Sequence, residues 1–522
     1  MCGFLFSSRI DESKHDFSEA LALMKHRGPD SFGNVERYKN FLLGHNRLSI
    51  LDLDERSNQP FTDNSGRYKL IFNGEIYNYA DLAQKFAINM KTTSDTELLI
   101  ELYAKLGPSC LEHFNGMFTL VILDQETGRF FAARDRLGIK PLYHYEDSRG
   151  VILSSEISPI IKLVGDVSFD NFALRQYRKM RTFFNGKTPY KGVSMFPAAH
   201  AYDGKKFSKY WSLPEEQQAA PSHEEIKELI KSAVSLRCIS DVPVGSYLSG
   251  GVDSTIVAGL SDKPHTWTVG FDDFNEFSYA REAADKFGSQ HHEVLVKKEE
   301  FLDTARSMIL QRKEPLSVPN EVLLLLMTKQ VKTENTVVLS GEGADELFYG
   351  YDRIFRWAND SAWDLMEFAK YYSYGSHEDA DVVEDAISPF IDNQSCLNTV
   401  ARFFQISHLH GLLRRLDNST MLCSVEARVP FDEYGNPTLD DRYNAPHRFT
   451  VDVQFPNGVL MVITSEGRNG ILVEGTKGRI FVNRGTIAGK PIEELENKPL
   501  PSGWLDDIYG GPVVEHVNNF FD

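Results

Sequence analysis

Cys2 is the residue whose type and position most directly suggest catalysis. When the preceding methionine is removed, one residue carries both a thiol and a free α-amine. An α-amine titrates at about pH 8, so it can accept the thiol proton directly or through water, and no separate histidine is needed. Position 2 alone does not distinguish a nucleophile from a buried thiol, so the assignment depends on residues further along the chain.

Two glycine-containing runs in the middle of the chain could bind phosphate. Ser249-Gly-Gly-Val-Asp-Ser254 lies between an apolar run and a helical pattern, so its backbone N–H groups and the helix N-terminus favour an anion. The run has no Walker lysine, so transfer of a γ-phosphoryl group is not indicated. Ser340-Gly-Glu-Gly-Ala-Asp-Glu346 ends another predicted strand, and its carboxylates could hold a magnesium pyrophosphate or a substrate amine.

Composition restricts the class of protein. The formal net charge of −18 disfavours nucleic acid as a partner. No run of about 18 apolar residues is present and the start lacks a secretory pattern, so we expect no membrane partner and a cytoplasmic location. The five cysteines include no CxxC pair, which predicts neither disulfides nor zinc. We expect four of them to be buried thiols, with Cys2 as the exception.

The elements that must position Cys2 are predicted to be short strands. Apolar runs at 41–50, 68–72 and 117–123 alternate with turns. Ser94 and Glu97 predict a capping box at the start of a helix. Strands with few helices between them predict packed sheets flanked by helices over residues 1–205.

The middle of the chain follows a polar, proline-containing stretch that predicts a linker at 206–221. Strands and helices then alternate, with strands predicted at 246–249, 266–271 and 336–340 and helices at 223–238, 254–260 and 279–287. That order predicts a parallel, doubly wound α/β sheet whose ligands bind beyond the carboxyl ends of the strands. His291-His292 is interpreted as the start of an edge strand in preference to a metal site.

The pattern changes again near residue 431. Residues 449–455 alternate strictly, and Asn457-Gly458 is typical of a hairpin turn. We therefore expect an antiparallel β-rich tail.

Five polar runs, taken with Cys2, closely resemble the class II (N-terminal nucleophile) glutamine amidotransferases over nearly all of residues 1–205. They are Met24-Lys-His-Arg-Gly-Pro-Asp30, Gly44-His-Asn-Arg-Leu-Ser-Ile50, Phe72-Asn-Gly-Glu-Ile-Tyr-Asn78, Thr93-Ser-Asp-Thr-Glu97 and Ala133-Arg-Asp-Arg-Leu-Gly-Ile-Lys-Pro-Leu142. The resemblance implies a four-layer αββα fold of the Ntn type. It also implies that Asn73 and Gly74 form an oxyanion hole.

The same resemblance implies the partners of glutamine. Arg47 would hold the α-carboxylate, and Glu75 and Asp95 would hold the ammonium and neighbouring groups. Taken singly, Asn73-Gly74 is more typical of a plain type I′ turn, and Asp95 of a helix N-terminal residue.

The Ser249–Ser254 run looks like the PP-loop of the adenine-nucleotide α-hydrolase group, whose members form adenylates and release pyrophosphate. With Ser340–Glu346 and Ser424-Val-Glu-Ala-Arg-Val-Pro-Phe431, it makes residues 222–431 resemble the synthetase domain of the asparagine synthetase B type. The resemblance implies Mg²⁺ at Asp253 and Asp345, with Glu342 and Asp345 toward the acceptor. It implies ATP among Ser249, Gly250, Gly251, Asp253, Ser254, Val269, Ser340 and Gly341.

The resemblance ends near Phe431. Asparagine synthetases continue with helices, one carrying a lysine that contacts the nucleotide phosphates, whereas residues 432–522 are similar to the end of Gfo/Idh/MocA-type oxidoreductases. The dinucleotide fingerprint of that family is absent, so no redox activity is predicted. The synthetase domain is therefore expected to be truncated, through a natural fusion or an assembly artefact, and hydrolysis at Cys2 is favoured over synthesis.

The predicted function is ATP-dependent asparagine synthesis from glutamine and aspartate, with a homodimer left open. Lys313–Asn320 departs from the family pattern on the acceptor side. The alternatives are therefore amidation of another carboxylate, such as a sugar acid, and a fusion that retains only glutaminase activity. The predicted domains are 1–205 (glutaminase), 206–221 (linker), 222–431 (synthetase) and 432–522 (tail).

Overall fold

The computed structural model describes residues 2–213, 222–261, 263–375, 379–392 and 394–430, together with five strands between Thr450 and Ala488. The chain divides into two compact units, Met1–Asn444 and Ala445–Asp522. Within the first unit we call residues 2–213 the N-terminal region and residues 222–430 the central region. Residues 214–221 of the predicted linker and the predicted Asn457-Gly458 turn lie outside the described residues.

The N-terminal region consists of two antiparallel sheets and the helices that cover them. Its elements are β1 (Gly3–Ser7), α1 (Lys14–Ala22), β2 (Ser31–Tyr38), β3 (Phe41–Arg47), β4 (Phe61–Thr62), β5 (Tyr68–Ile76), α2 (Tyr79–Lys85), α3 (Asp95–Leu106), β6 (Gly116–Asp124), β7 (Arg129–Arg134), β8 (Tyr143–Asp147), β9 (Gly150–Ser154), α4 (Ile157–Val164), α5 (Asn171–Met180), β10 (Val193–Met195), β11 (His200–Tyr202) and β12 (Phe207–Lys209). The sheet orders are β10-β8-β9-β1-β3-β2 and β12-β11-β7-β6-β5-β4.

The side chains along each strand point alternately to the two faces of a sheet, and this alternation forms the layers of the N-terminal region. Leu5 of β1 packs with Phe17 of α1 on the outer face of the first sheet. Its neighbour Phe6 packs with Ile71 of β5 between the two sheets, because successive strand side chains point to opposite faces. Leu98 of α3 covers the outer face of the second sheet. The predicted four-layer αββα class is confirmed.

The start of α3 differs from the prediction. Ser94 does cap the helix, but its hydroxyl accepts from the N–H of Thr96 at 3.2 Å. Glu97 turns away from the cap and accepts from the N–H groups of Lys91 and Thr92, so the predicted capping box is wrong. The Glu97 carboxylate accepts from backbone N–H groups of the loop before the helix, because these N–H groups have no hydrogen-bond partner in a strand.

The central region is an α/β layer with a long helical extension. Its elements are α6 (His223–Arg237), β13 (Val244–Tyr247), α7 (Val252–Ser261), β14 (His265–Gly270), α8 (Phe277–Phe287), β15 (Gln290–Leu295), α9 (Lys298–Arg312), α10 (Asn320–Val331), β16 (Val337–Leu339), α11 (Ala344–Phe348), α12 (Asp352–Asp360), α13 (Leu365–Tyr372), α14 (Ala380–Ile387), α15 (Cys396–Phe403), α16 (Leu409–Met421) and β17 (Glu426–Arg428). None of the described helices is long and apolar enough to cross a membrane.

The five strands β13 to β17 form one parallel sheet in the order β15-β14-β13-β16-β17, which confirms the predicted doubly wound arrangement. The chain runs outward from β13 to β15 and then returns to β16 on the other side of β13. A topological switch point therefore lies between β13 and β16, and ligands bind at the carboxyl ends of strands there. His291 and His292 lie in the edge strand β15, as predicted.

The tail contains β18 (Thr450–Gln454) and β19 (Leu460–Thr464), which pair antiparallel. It also contains β20 (Ile471–Gly475), β21 (Gly478–Asn483) and β22 (Thr486–Ala488), which form an antiparallel three-stranded sheet. The resemblance of this segment to an oxidoreductase stays a prediction.

Candidate active site

Cys2 lies at the start of β1, beneath the end of β5. Its backbone N–H donates to Oδ1 of Asn73 at 2.9 Å, and its Sγ lies 4.0 Å from the carbonyl oxygen of Leu48. The expectation that the other four cysteines are buried thiols and Cys2 is the exception is wrong. Cys2 is buried together with Cys110 and Cys396, whereas Cys238 and Cys423 are half-buried. Burial raises the pKa of the Cys2 thiol, so a thiolate here needs a base beside it.

The side-chain amide of Asn73 has one polar atom that is hydrogen-bonded and one that is not. Its Oδ1 accepts from Cys2, while its buried Nδ2 has no hydrogen-bond partner among the described residues. Orphaned buried donors are rare in folded proteins, and many of them belong to functional sites. The Nδ2 group can therefore donate to an oxyanion that forms beside the Cys2 thiol.

Gly74 occupies a position that only glycine fits. Its Cα faces β6 closely enough that a Cβ would lie 2.0 Å from the carbonyl oxygen of Met117, and its φ is +155°. Asn73 and Gly74 both lie inside β5, opposite Thr119 and Phe118 of β6. The alternative that these residues form a plain type I′ turn is therefore wrong.

Arg47 ends β3 and is buried. Its Nη1 donates to the carbonyl oxygen of Asp54 at 2.8 Å and to Asn58 Oδ1 at 3.1 Å. Its Nη2 donates to the carbonyl oxygens of Leu51 (3.2 Å) and Asp52. The guanidinium thus orders the 51–58 loop, and a glutamine carboxylate would have to share these groups or bind at Nε.

Glu75 and Asp95 form a buried acidic pair at the boundary with the central region. Asp95 Oδ2 accepts from the N–H of Ile76 at 2.9 Å, and Glu75 Oε1 lies 3.4 Å from Nη2 of Arg428. Burial raises the pKa of Asp95 to about 6. Burial and the neighbouring Asp95 carboxyl raise the pKa of Glu75 well above its usual value. An ammonium group would relieve this repulsion, which fits the role implied for the pair.

The PP-loop residues lie at the switch point. Ser249 and Ser254 bond through their hydroxyls at 2.9 Å, and the N–H of Gly251 donates to Ser249 Oγ at 3.2 Å. Gly341 packs against this loop, since a Cβ there would lie 2.9 Å from the backbone nitrogen of Ser254. The structure brings the two predicted phosphate-binding runs together, with Ser340 at the end of β16 and Val269 near the end of β14.

The acidic residues of the two runs also face each other. Burial raises the pKa of Asp253, and the carboxyl of Asp345 raises it further. A half-buried carboxyl (Asp253) and an exposed one (Asp345) that repel each other fit a divalent cation, because oxygen ligands are those that Mg²⁺ prefers.

Arg415 is a residue that sequence reasoning missed. Its Nη2 donates to Oε1 of Glu342 at 2.8 Å, while the buried Oε2 of Glu342 has no hydrogen-bond partner within the described residues. Arg415, from α16, therefore brings a positive charge close to the Ser340–Glu346 run. Only the fold could reveal this, because Arg415 lies outside every motif that the sequence singled out.

Comparison with known proteins agrees with this two-part arrangement. Residues 1–211 match the family model described as a glutamine amidotransferase domain, and residues 225–434 match the model described as asparagine synthase. The fold and the two sites define a glutamine-dependent carbon–nitrogen ligase.

Curated relatives narrow the class to a family. "Putative asparagine synthetase [glutamine-hydrolyzing] 2" of Methanocaldococcus jannaschii is 34% identical over 389 residues, covering 67% of this chain and 76% of the relative. "Asparagine synthetase [glutamine-hydrolyzing] 3" of Bacillus subtilis is 27% identical over 500 residues, covering 83% and 80%. "Amidase chyE" of Penicillium rubens is 30% identical over 446 residues, covering 75% and 65%. The chain belongs to the glutamine-hydrolysing asparagine synthetase family.

Membership of this family supports the prediction of ATP, on which the family depends. Mg²⁺, a cytoplasmic location and a homodimer stay predictions, as do the roles of the individual site residues.

Proposed function

We propose that the chain makes asparagine from aspartate, glutamine and ATP, with glutamate, AMP and pyrophosphate as the other products. Residues 1–205 are the glutaminase domain, 206–221 the linker and 222–431 the synthetase domain of this proposal. The observation that carries it is the bond between Cys2 and Asn73, which leaves Nδ2 of Asn73 as a donor beside the thiol.

In the glutaminase half, removal of Met1 exposes the α-amine of Cys2. The amine takes the thiol proton, which a buried thiol with a raised pKa does not release to water at neutral pH. Sulfur then attacks the glutamine amide carbon, and the oxyanion accepts from Asn73 Nδ2 and the N–H of Gly74. The C–N bond breaks, ammonia leaves with the proton, and water hydrolyses the thioester to glutamate.

In the synthetase half, ATP supplies the adenylyl group that makes the aspartate β-carboxylate an acyl donor. Ser249, Gly251 and Ser254 line the PP-loop where its phosphates would bind. Asp253 and Asp345 would hold Mg²⁺, which neutralises charge on pyrophosphate.

The ammonia formed at Cys2 must reach the second site. An apolar cluster joins the two regions, with Tyr77 and Met117 from the N-terminal region and Val338 and Leu413 from the central region. Apolar contacts between the sites exclude water and would limit protonation of ammonia on its way. Glu342, with its unpartnered Oε2, lies on the synthetase side of this path in our proposal.

A second candidate is amidation of a carboxylate other than aspartate. Glu314, in the loop that departs from the family pattern, is buried, accepts from the hydroxyl of Tyr143 at 3.0 Å and lies 3.5 Å from Nη1 of Arg414. The contact with Tyr143 joins the two regions and the contact with Arg414 lies within the central region. Together they occupy the Glu314 carboxylate, so it does not select an acceptor. The curated relatives that match the chain also include proteins named as amidases.

One experiment separates these functions. The purified full chain is incubated with amide-¹⁵N glutamine, ATP, Mg²⁺ and either aspartate or a panel of other carboxylates, and glutamate, pyrophosphate and labelled amide are measured. We expect labelled asparagine, and its absence alongside another labelled amide would favour the second candidate. Hydrolysis of glutamine without pyrophosphate release would indicate that the chain acts only as a glutaminase.

Two cysteine variants test the nucleophile. Cys2→Ala should abolish glutamate formation, whereas Cys238→Ala, which removes a half-buried thiol in the central region, should not.

A further inference from the structure

Helix α16 presents one polar face to the N-terminal region. His410, Arg414 and Asp417 are spaced so that all three lie on the same side of the helix. His410 Nε2 lies 2.8 Å from Nη2 of Arg134, and Arg414 Nη2 donates to the hydroxyl of Thr182 at 3.2 Å. The third residue, Asp417, is linked to Cys2 through Arg27.

Arg27 is the residue that Asp417 contacts, and it is fully buried. Its Nη2 donates to Asp417 Oδ2 at 2.9 Å and its Nη1 donates to Glu156 Oε1 at 3.3 Å. Its Nε donates to the carbonyl oxygen of Cys2 at 3.1 Å. One planar group therefore joins a carboxylate from each region to the backbone of the nucleophile.

The two carboxylates are not equivalent. Glu156 Oε1 is shared with Nε2 of His26 at 2.8 Å, whereas Asp417 Oδ2 has Arg27 as its close cationic partner. Lys140 approaches the other oxygen of Asp417 only to 3.8 Å. Without the Asp417 charge, Glu156 alone would attract the guanidinium, and rotation toward Glu156 moves Nε away from Cys2 because the fork of donors is rigid.

We propose that Asp417, from the central region, is a positioning residue for glutamine hydrolysis, because it fixes Arg27 on the carbonyl oxygen of Cys2. This inference rests on the proposed function of Cys2. The N-terminal region then does not form a complete glutaminase site by itself, since one of the groups that align its nucleophile comes from the other half of the protein. Asp417 acts through Arg27 and does not contact glutamine.

The test is the variant Asp417→Asn in the full chain, which keeps the side-chain volume and removes the charge. We expect kcat for glutamine hydrolysis to fall about ten- to hundred-fold, the loss that follows a misplacement of roughly 1 Å, while KM for glutamine stays within about two-fold. Asp417→Glu, which restores the charge, should recover part of kcat. Arg414→Lys is the matched control, because Arg414 lies on the same helix face and contacts the same region without reaching Cys2, and lysine keeps the positive charge beside Glu314.

A double-mutant comparison distinguishes positioning from general packing. In an Arg27→Met background, Asp417→Asn should lower hydrolysis no further, since the two residues act in series. Thermal unfolding of each variant shows whether the fold is retained, and Asp417→Ala, which also removes the charge, serves in place of Asp417→Asn if the latter does not fold.

Three outcomes would overturn the inference. They are wild-type hydrolysis by Asp417→Asn, an equal loss in Arg414→Lys, and full additivity with Arg27→Met. Failure of the proposed function is distinguishable, because Cys2→Ala would then still hydrolyse glutamine.

Discussion

The backbone N–H of Cys2 donates to the side-chain oxygen of Asn73 at 2.9 Å, across the gap between the two sheets of the N-terminal region. Because an amide has its acceptor and donor on the same carbon, this bond also directs Nδ2 of Asn73. In the proposed mechanism, a single contact between the residue before β1 and a residue of β5 therefore positions both the nucleophile and the oxyanion donor.

Asn73→Asp tests the donor separately from the acceptor. The carboxylate can still accept from Cys2 N–H but offers no N–H to an oxyanion, so we expect kcat for glutamine hydrolysis to fall about 10²- to 10³-fold. Asn335→Asp is a matched control, because Asn335 is also buried, accepts from Trp267 Nε1 at 3.2 Å and has an unpartnered Nδ2 within the described residues. A control as inactive as Asn73→Asp would attribute the loss to buried charge in general.

Gly74→Ala should disrupt the contact between β5 and β6. The new Cβ would lie 2.0 Å from the carbonyl oxygen of Met117, so either the strands separate or the protein unfolds more easily. We expect a loss of about 3 kcal/mol or more in the free energy of unfolding, with glutamine hydrolysis lost as well. Gly66→Ala has a positive φ of +78° but open space around its Cβ, and should cost only about 1–2 kcal/mol. Urea unfolding measures both, and equal losses would contradict the steric explanation.

Asp95→Asn should stabilise the fold and weaken glutamine binding. Burial raises the pKa of Asp95 to about 6 from 3.8, so the folded state holds this proton more tightly than the unfolded chain. Ionisation of Asp95 therefore lowers the free energy of unfolding of the wild type increasingly as pH rises from about 4 through about 6. The stability of Asp95→Asn relative to the wild type should rise over that pH range. KM for glutamine should rise above pH 6, where the ionised carboxylate would pair with the ammonium. Unfolding curves and KM at pH 4.5, 6 and 7.5 check both signs, and a variant stabilised equally at every pH would contradict this account.

Asp253→Asn should separate the two half-reactions. The change removes one of the two carboxyls that repel each other across the PP-loop and the Ser340–Glu346 run, so acceptor-dependent pyrophosphate release should be lost. Glutamine hydrolysis should persist, since Cys2 lies in the other region. Asp303→Asn, an exposed aspartate on α9, is the control. Pyrophosphate release that survives in Asp253→Asn would remove this residue from the mechanism.

Local sequence patterns predicted the parts of the site that follow from chain topology. Parallel strands place their carboxyl ends at one edge of a sheet, so the runs after β13 and β16 could be expected to meet, and Gly341 does pack against Ser254. The alternation of apolar residues in the first region likewise predicted sheets.

Contacts between distant elements could not be predicted in this way. Arg27 belongs to the Met24–Asp30 run that the sequence singled out, but its partner Asp417 is 390 positions away and lies in no such run. Arg47 was expected to hold the glutamine α-carboxylate, and that role stays a prediction; its bonds to carbonyl groups of the 51–58 loop were not foreseen, because no periodic pattern describes that irregular loop. The spacing of Ser94 and Glu97 matched a capping box, but the Glu97 carboxylate instead accepts hydrogen bonds from the preceding loop. In each case the partner was decided by tertiary packing.

The polar face of α16 also limits how relatives of this chain could recombine. A chimera with residues 1–211 from one parent and 225–434 from another receives Arg27 from one parent and Asp417 from the other. If the first parent lacks arginine at position 27, Asp417 becomes a buried charge without its closest partner, at a cost of about 3–5 kcal/mol. Productive exchange of halves therefore requires parents that agree at this pair, and screening for that agreement would identify viable crossovers before any are built.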